Sequence, residues 1–218
     1  MINQNILQTK NINYLREASI INSYKGLRIG IFGGSFNPAH QGHLHIAIES
    51  IKKLQLNFIV WLVTPENPLK AGETPYLSVN ARATMCKQLS KYYPKIKVLT
   101  IEDSFTLAYS YLTINKIKQL NNNNSLFWIM GEDNLINIHQ FKQWQHILDN
   151  IDVCIFARKK SSFASLLQKS KIYYDNKQVG LFNNTNHLNN ITKNISFYLI
   201  PRNPISSTII RNDIAKNS

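Results

Sequence analysis

Residues Arg28–Ala47 read RIGIFGGSFNPAHQGHLHIA, and the reading of the fold turns on them. The run LRIGIF at 27–32 is short, apolar and uninterrupted, which suits a strand buried on both faces. After the turn, Leu44, Ile48, Ile51 and Leu54 recur at helical spacing. Between the two lie Gly33, Gly34, Pro38 and three of the chain's six histidines, His40, His43 and His45. Glycines just past a strand let backbone N–H groups approach an anion, and the following helix points its positive end at the same place. Pro38 suits the entry to that helix. The stretch matches neither Gly-x-Gly-x-x-Gly nor a P-loop.

The alternation continues outward from this turn. FIVWLV (58–63), IKVLTI (96–101), LFWIM (126–130), DVCIFA (152–157) and FYLI (197–200) read as further buried strands. Ala81, Met85, Leu89 and Tyr92 mark a helical face, and Gln140–Leu148 and Ser206–Ala215 are further helix candidates. This order predicts an α/β protein: a Rossmann-like, doubly wound parallel sheet of five to six strands with helices on both faces. In such sheets ligands bind beyond the carboxyl ends of the strands. Residues 121–125 read as a polar loop, and 171–195 as an irregular, Asn-rich region. Residues 1–25 read as a polar extension, with one weak helix around Tyr14–Ile21, and 26–218 as a single domain.

Composition narrows the function. A length of 218 residues suits one domain with a sizeable core. The formal charge of +13 points to nucleic acid, anionic lipid or acidic small substrates. A nucleic-acid module would cluster its cations among exposed aromatics. Here the lysines are dispersed through a chain rich in Lys, Ile and Asn, so neither nucleic acid nor membrane is expected as a partner. Cys86 and Cys154 lie far apart in apolar segments, as reduced core cysteines do. No apolar run approaches 18 residues, and the first twenty-five lack a hydrophobic h-region, so a cytoplasmic location is expected.

Three chemistries compete for the histidines. His40 and His43 are three apart and share one side of the turn, with Gly42 leaving space between them, so two imidazoles and the adjacent amides could hold phosphate. For a metal, no third ligand stands at a characteristic spacing, the next histidines being His139 and His146. His45 falls on a different helix face and reads as structural.

Gly33-Gly34-Ser35-Phe36-Asn37-Pro38-Ala39-His40-Gln41-Gly42-His43 resembles the signature of the nucleotidyltransferase superfamily, in the version carried by bacterial nicotinate-nucleotide adenylyltransferases. Ile205-Ser206-Ser207-Thr208-Ile209-Ile210-Arg211 is similar to that family's second motif. Between them, WLVTPENPLK (61–70) resembles its substrate loop, IMGEDNL (129–135) its Gly-x-Asp-x-Leu segment, and FKQW (141–144) its aromatic pair. Arg82 and Arg158 also sit where the family has arginines. The resemblance runs from Leu27 to the C-terminus, with departures. Phe141 replaces a frequent Trp, Thr106 is kept while Ala108 stands in place of an Asp, and 171–195 does not match.

The resemblance implies transfer of the adenylyl group of ATP to nicotinate mononucleotide, giving deamido-NAD and pyrophosphate. Sister enzymes use nicotinamide mononucleotide, phosphopantetheine or a phosphorylated polyol instead. It assigns catalysis to His40, His43 and Arg211, and ATP binding to Gly33, Gly34, Ser35, Phe36, Gly131, Asp133, Ser206, Ser207 and Thr208. The acceptor falls to Asn37, Lys70, Thr106, Phe141 and Arg158. Mg²⁺ is implied as a bridge between ATP oxygens, held by phosphates and water and not by protein side chains. Self-association is left open. Several assignments have a plain structural counterpart: Ser206–Thr208 and Asp133 could cap helices, Lys70 and Arg158 could be solvated charges, and Phe141 and Trp144 could be core residues of one helix.

Overall fold

The computed structural model describes residues 25–64, 77–100, 110–120, 123–158, 179–182 and 195–201. In chain order the strands are β1 (Arg28–Gly34), β2 (Phe58–Val63), β3 (Ile96–Thr100), β4 (Ser125–Gly131), β5 (Asp152–Arg158), β6 (Val179–Phe182) and β7 (Ile195–Ile200). The helices are α1 (Gln41–Lys53), α2 (Val79–Leu89), α3 (Ser110–Leu120), α4 (Glu132–Ile136) and α5 (Trp144–Asn150), with a 3₁₀ turn at Ile138–Gln140.

All strand pairings are parallel, in the order β3-β2-β1-β4-β5-β7-β6. The central strand runs are mostly apolar because each face of the sheet carries its own core. Ile29, Ile31, Val60, Leu62, Trp128 and Met130 pack against α3, α4 and α5 through Ile114, Leu135 and Ile147. Their sequence neighbours Phe32, Ile59, Trp61, Phe127 and Ile129 pack on the opposite face against α1 and α2 through Leu44, Ala47, Ala83 and Cys86. The doubly wound class is therefore the one expected from sequence.

Three details differ from expectation. A seventh strand, β6, lies inside the region read as irregular. Four residues, VGLF, are too few to show a period, and pairing with β7 defines them. On α2 the buried side is Arg82, Ala83 and Cys86, while Met85 is 37% exposed and Tyr92, past the end of the helix, 79%. Apolar periodicity picked out Leu89, which packs on the core, but missed the centre of the inner face because a charged residue occupies it. The helix expected at Gln140–Leu148 begins only at Trp144, after a break at Gln143, whose φ is 51°. The helix candidates at Tyr14–Ile21 and Ser206–Ala215 lie outside the described residues. Among those described, no helix is long and apolar enough to cross a membrane.

Candidate active site

The strand order reverses between β1 and β4, the two central strands, so their carboxyl ends flank the crevice in which doubly wound sheets bind ligands. Gly33 and Gly34 end β1, and Gly131 ends β4. A Cβ on Gly131 would stand 2.6 Å from Asp133 Oδ1, so glycine lets the Asp133 carboxylate lie back over the strand end.

Past Gly34 the chain makes a six-residue turn before α1 starts at Gln41, three residues beyond Pro38. Phe36 takes a left-handed conformation, φ 49°, unusual for a side chain of its size. Burial holds it there: the ring is 1% exposed, stacks on Trp61 at 5.3 Å and meets Phe32 edge-on at 5.6 Å.

The two histidines cap α1 reciprocally. His40 Nδ1 accepts from Gly42 N at 3.0 Å, and His43 Nδ1 accepts from His40 N at 3.2 Å. A ring nitrogen that accepts from a backbone N–H carries no proton, so the proton of each neutral imidazole is on Nε2. The ring centroids are 3.8 Å apart, and His43 rests on the Phe36 ring at 4.8 Å. Burial, then the neighbouring His40, holds the His43 pKa down at about 3. Burial lowers His40 to about 4, partly offset by the negative charge of Asp133. Near neutral pH the pair is thus two uncharged Nε2–H donors at a helix N-terminus, a set suited to phosphate oxygens and unsuited to a cation.

Asp133 is in the first turn of α4 and close enough to His40 to act on its charge. Gly131 is the N-cap of that helix, which has no side-chain cap bond, so Asp133 is not its N-cap. Asn37 is 4% exposed, and its Oδ1 accepts from Leu77 N at 3.2 Å. Phe141 and Trp144, half-buried against the core, do not share a helix: Phe141 ends the 3₁₀ turn and Trp144 begins α5. Arg158 is the last residue of β5, at the same edge of the sheet as the β1 and β4 ends. Lys70, Thr106, Ser206, Ser207, Thr208 and Arg211 lie outside the described residues.

Two contacts were not read from sequence. His45 Nε2 lies 2.9 Å from the carbonyl of Pro201, tying α1 to the chain just past β7, a structural role as its helix face suggested. Arg82, noted only as matching a family arginine, is 1% exposed and bonds to the carbonyls of Ser35, Thr64 and Leu77. The signal available for it was its place four residues before Cys86, on the side of α2 that also carries Ala83.

A doubly wound sheet with an anion cradle at its switch point defines a nucleotide-handling α/β protein, and the chain belongs to the cytidylyltransferase-like family, whose model matches residues 31–213. The particular relatives are more specific. A Rhizobium etli protein named "Probable nicotinate-nucleotide adenylyltransferase" is 33% identical over 189 residues, 84% of this chain and 95% of its own length. A protein of the same name from Agrobacterium fabrum is 36% identical over 138 residues, 63% of this chain and 73% of its own. Among solved structures, Plasmodium falciparum nicotinic acid mononucleotide adenylyltransferase complexed with NaAD has a TM-score of 0.63 at 17% identity, covering 87% of this chain and 89% of that one, which supports the fold.

Proposed function

We propose that this protein transfers the adenylyl group of ATP to nicotinate mononucleotide, releasing pyrophosphate and forming deamido-NAD. The observation that carries the reading is the pair of neutral Nε2–H donors of His40 and His43 beside the Gly33–Phe36 turn. The names of the relatives carry the choice of acceptor.

An oxygen of the acceptor's 5′-phosphate attacks the α-phosphorus of ATP. The new P–O bond forms as the bond from the α-phosphorus to the bridging oxygen breaks, and the electron pair leaves with pyrophosphate. A phosphate monoester with a second pKa of about 6 is largely ionised at neutral pH, so no general base is needed. The site's task is to align two polyanions and to stabilise charge as it moves onto the leaving group. Backbone amides of Gly33, Gly34, Ser35 and Phe36 and the imidazoles of His40 and His43 serve the triphosphate from one side, and Ser206, Ser207, Thr208 and Arg211 complete the grip. Gly131 and Asp133 face the nucleotide from the β4 end. Asn37, Lys70, Thr106, Phe141 and Arg158 serve the acceptor, Asn37 through its hold on Leu77. Mg²⁺ bound to the ATP oxygens would supply further charge neutralisation, and donor groups such as these leave it to the phosphates and water. The reaction runs in the cytoplasm, where Cys86 and Cys154 remain buried thiols.

The test is pyrophosphate release from ATP and Mg²⁺, with nicotinate and nicotinamide mononucleotides compared as acceptors. Turnover with nicotinate mononucleotide is expected. Preference for the nicotinamide form would assign the chain to a sister reaction, and no turnover of either would overturn the proposal.

A further inference from the structure

We propose that Arg82 is a positioning residue: a buried guanidinium that aims the Ser35 and Phe36 amides at phosphate from beneath the turn. The inference rests on the phosphate reading of that turn and goes beyond it, because Arg82 itself reaches no substrate.

The argument starts from the planarity of the peptide bond. In a trans peptide the C=O of one residue and the N–H of the next point in opposite directions, so fixing the carbonyl fixes the amide. Thr64 N donates to Gly34 O at 3.0 Å, which sets the direction of Ser35 N–H. Arg82 Nη1 donates to Ser35 O, which sets the direction of Phe36 N–H. Two consecutive amides are therefore turned away from α2 and β2 by bonds made on their far side, the arrangement of an anion-binding nest. The same Nη1 donates to Thr64 O at 2.8 Å, and Nε donates to Leu77 O at 2.9 Å. One side chain thus joins the turn after β1, the end of β2 and the approach to α2. Asn37 Oδ1 closes the set by accepting from Leu77 N.

The residue type follows from the geometry. Three carbonyls from three segments need donors spread over a rigid fork, which a guanidinium has and an ammonium lacks. Through its bond to the Ser35 carbonyl the guanidinium lies directly behind the peptide that is to meet an anion, and it polarises that peptide's N–H.

Arg82→Lys keeps the charge and much of the volume while losing the fork. The measurements are a thermal melt, calorimetric titration with ATP and Mg²⁺ without acceptor, and steady-state kinetics at a temperature where every variant is folded. Arg82→Gln is carried in parallel, and Lys87→Ala, an exposed cation of the same helix, is the control. Expected for Arg82→Lys is at least a tenfold weaker ATP affinity and at least a tenfold lower kcat, with Lys87→Ala unchanged. A lower melting temperature with affinity and kcat within twofold of wild type would make Arg82 a packing residue and overturn the proposal. Failure of both Arg82 variants to fold would overturn it too, since the bonds would then hold the fold and not the turn. The binding arm needs no acceptor, so a wild type that binds ATP without turning over nicotinate mononucleotide breaks the acceptor reading while Arg82 is still judged.

Discussion

The two central strands leave the sheet by very different turns. After β1 the chain spends six residues, Ser35–His40, before α1; after β4 it spends none, because Gly131 is both the last strand residue and the helix N-cap. The long turn is over-determined: a left-handed Phe36 clamped by aromatic rings, a reciprocal histidine cap, and a buried arginine beneath. The short one has a bare N-cap and an exposed Asp133. Strained backbone persists only where its surroundings hold it, and such holding is concentrated where geometry must be kept for chemistry. The β1 turn should therefore carry most of the catalytic effect and the β4 turn a minor share.

The largest break in that comparison is expected from His43→Ala, which removes one Nε2–H donor, half of the cap and the cover over Phe36. Loss of a single preorganised donor costs about 10²–10³ in kcat, so kcat should fall by that order while the melting curve remains cooperative. Near-wild-type turnover would remove His43 from the phosphate site. His40→Asn is the sharper instrument, since asparagine is a good N-cap but lacks an Nε2–H donor. It should keep stability to within about 0.5 kcal/mol, whereas His40→Ala should lose about 1 kcal/mol, and both should lose kcat by roughly 10²-fold. Should asparagine restore activity along with stability, His40 would be a cap and nothing more.

What sequence could reveal divides along the same line. The sheet was legible because a strand buried on both faces has to be apolar throughout, as IGIF and VCIF are, and because Gly33, Gly34 and the histidine spacing mark the turn after the first strand. The side-chain-to-backbone bonds that aim the turn were not. Arg82 was legible only as a match to a family arginine, because burial of a guanidinium depends on carbonyls 5, 18 and 47 positions away. The imidazoles were read as donors, yet which nitrogen donates depends on the Gly42 and His40 amides, a property of the folded cap. Phe141 and Trp144 were set on one helix because spacing cannot foresee the left-handed Gln143 between them.

Gly131→Ala tests the short turn. The added methyl would sit 2.6 Å from Asp133 Oδ1, and because Asp133 is exposed, that carboxylate can swing away. The expected result is a KM for ATP raised about fivefold, near 1 kcal/mol of lost interaction, with kcat and stability little changed. An effect as large as that of His43→Ala would mean that the two turns share the work equally.

The smallest effect concerns charge. Both histidines have folded-state pKa values, about 4 and about 3, below the 6.5 of an unperturbed histidine. Between those limits the unfolded chain binds the extra protons, so the pair's contribution to stability is whole above pH 6.5, declines as pH falls below it, and is lost once both rings are protonated. Imidazole resonances of His40 and His43 should accordingly keep their neutral positions from pH 8 down to pH 5. Asp133 acts on this pair only by raising the His40 value against the larger effect of burial. Asp133→Asn should therefore move the His40 midpoint further down, with His43 as the internal comparison, and leave kcat near wild type at neutral pH, where both rings are already uncharged. A midpoint that stays or rises would place the Asp133 carboxylate away from His40 and leave the β4 turn with no electrostatic share in the phosphate cradle.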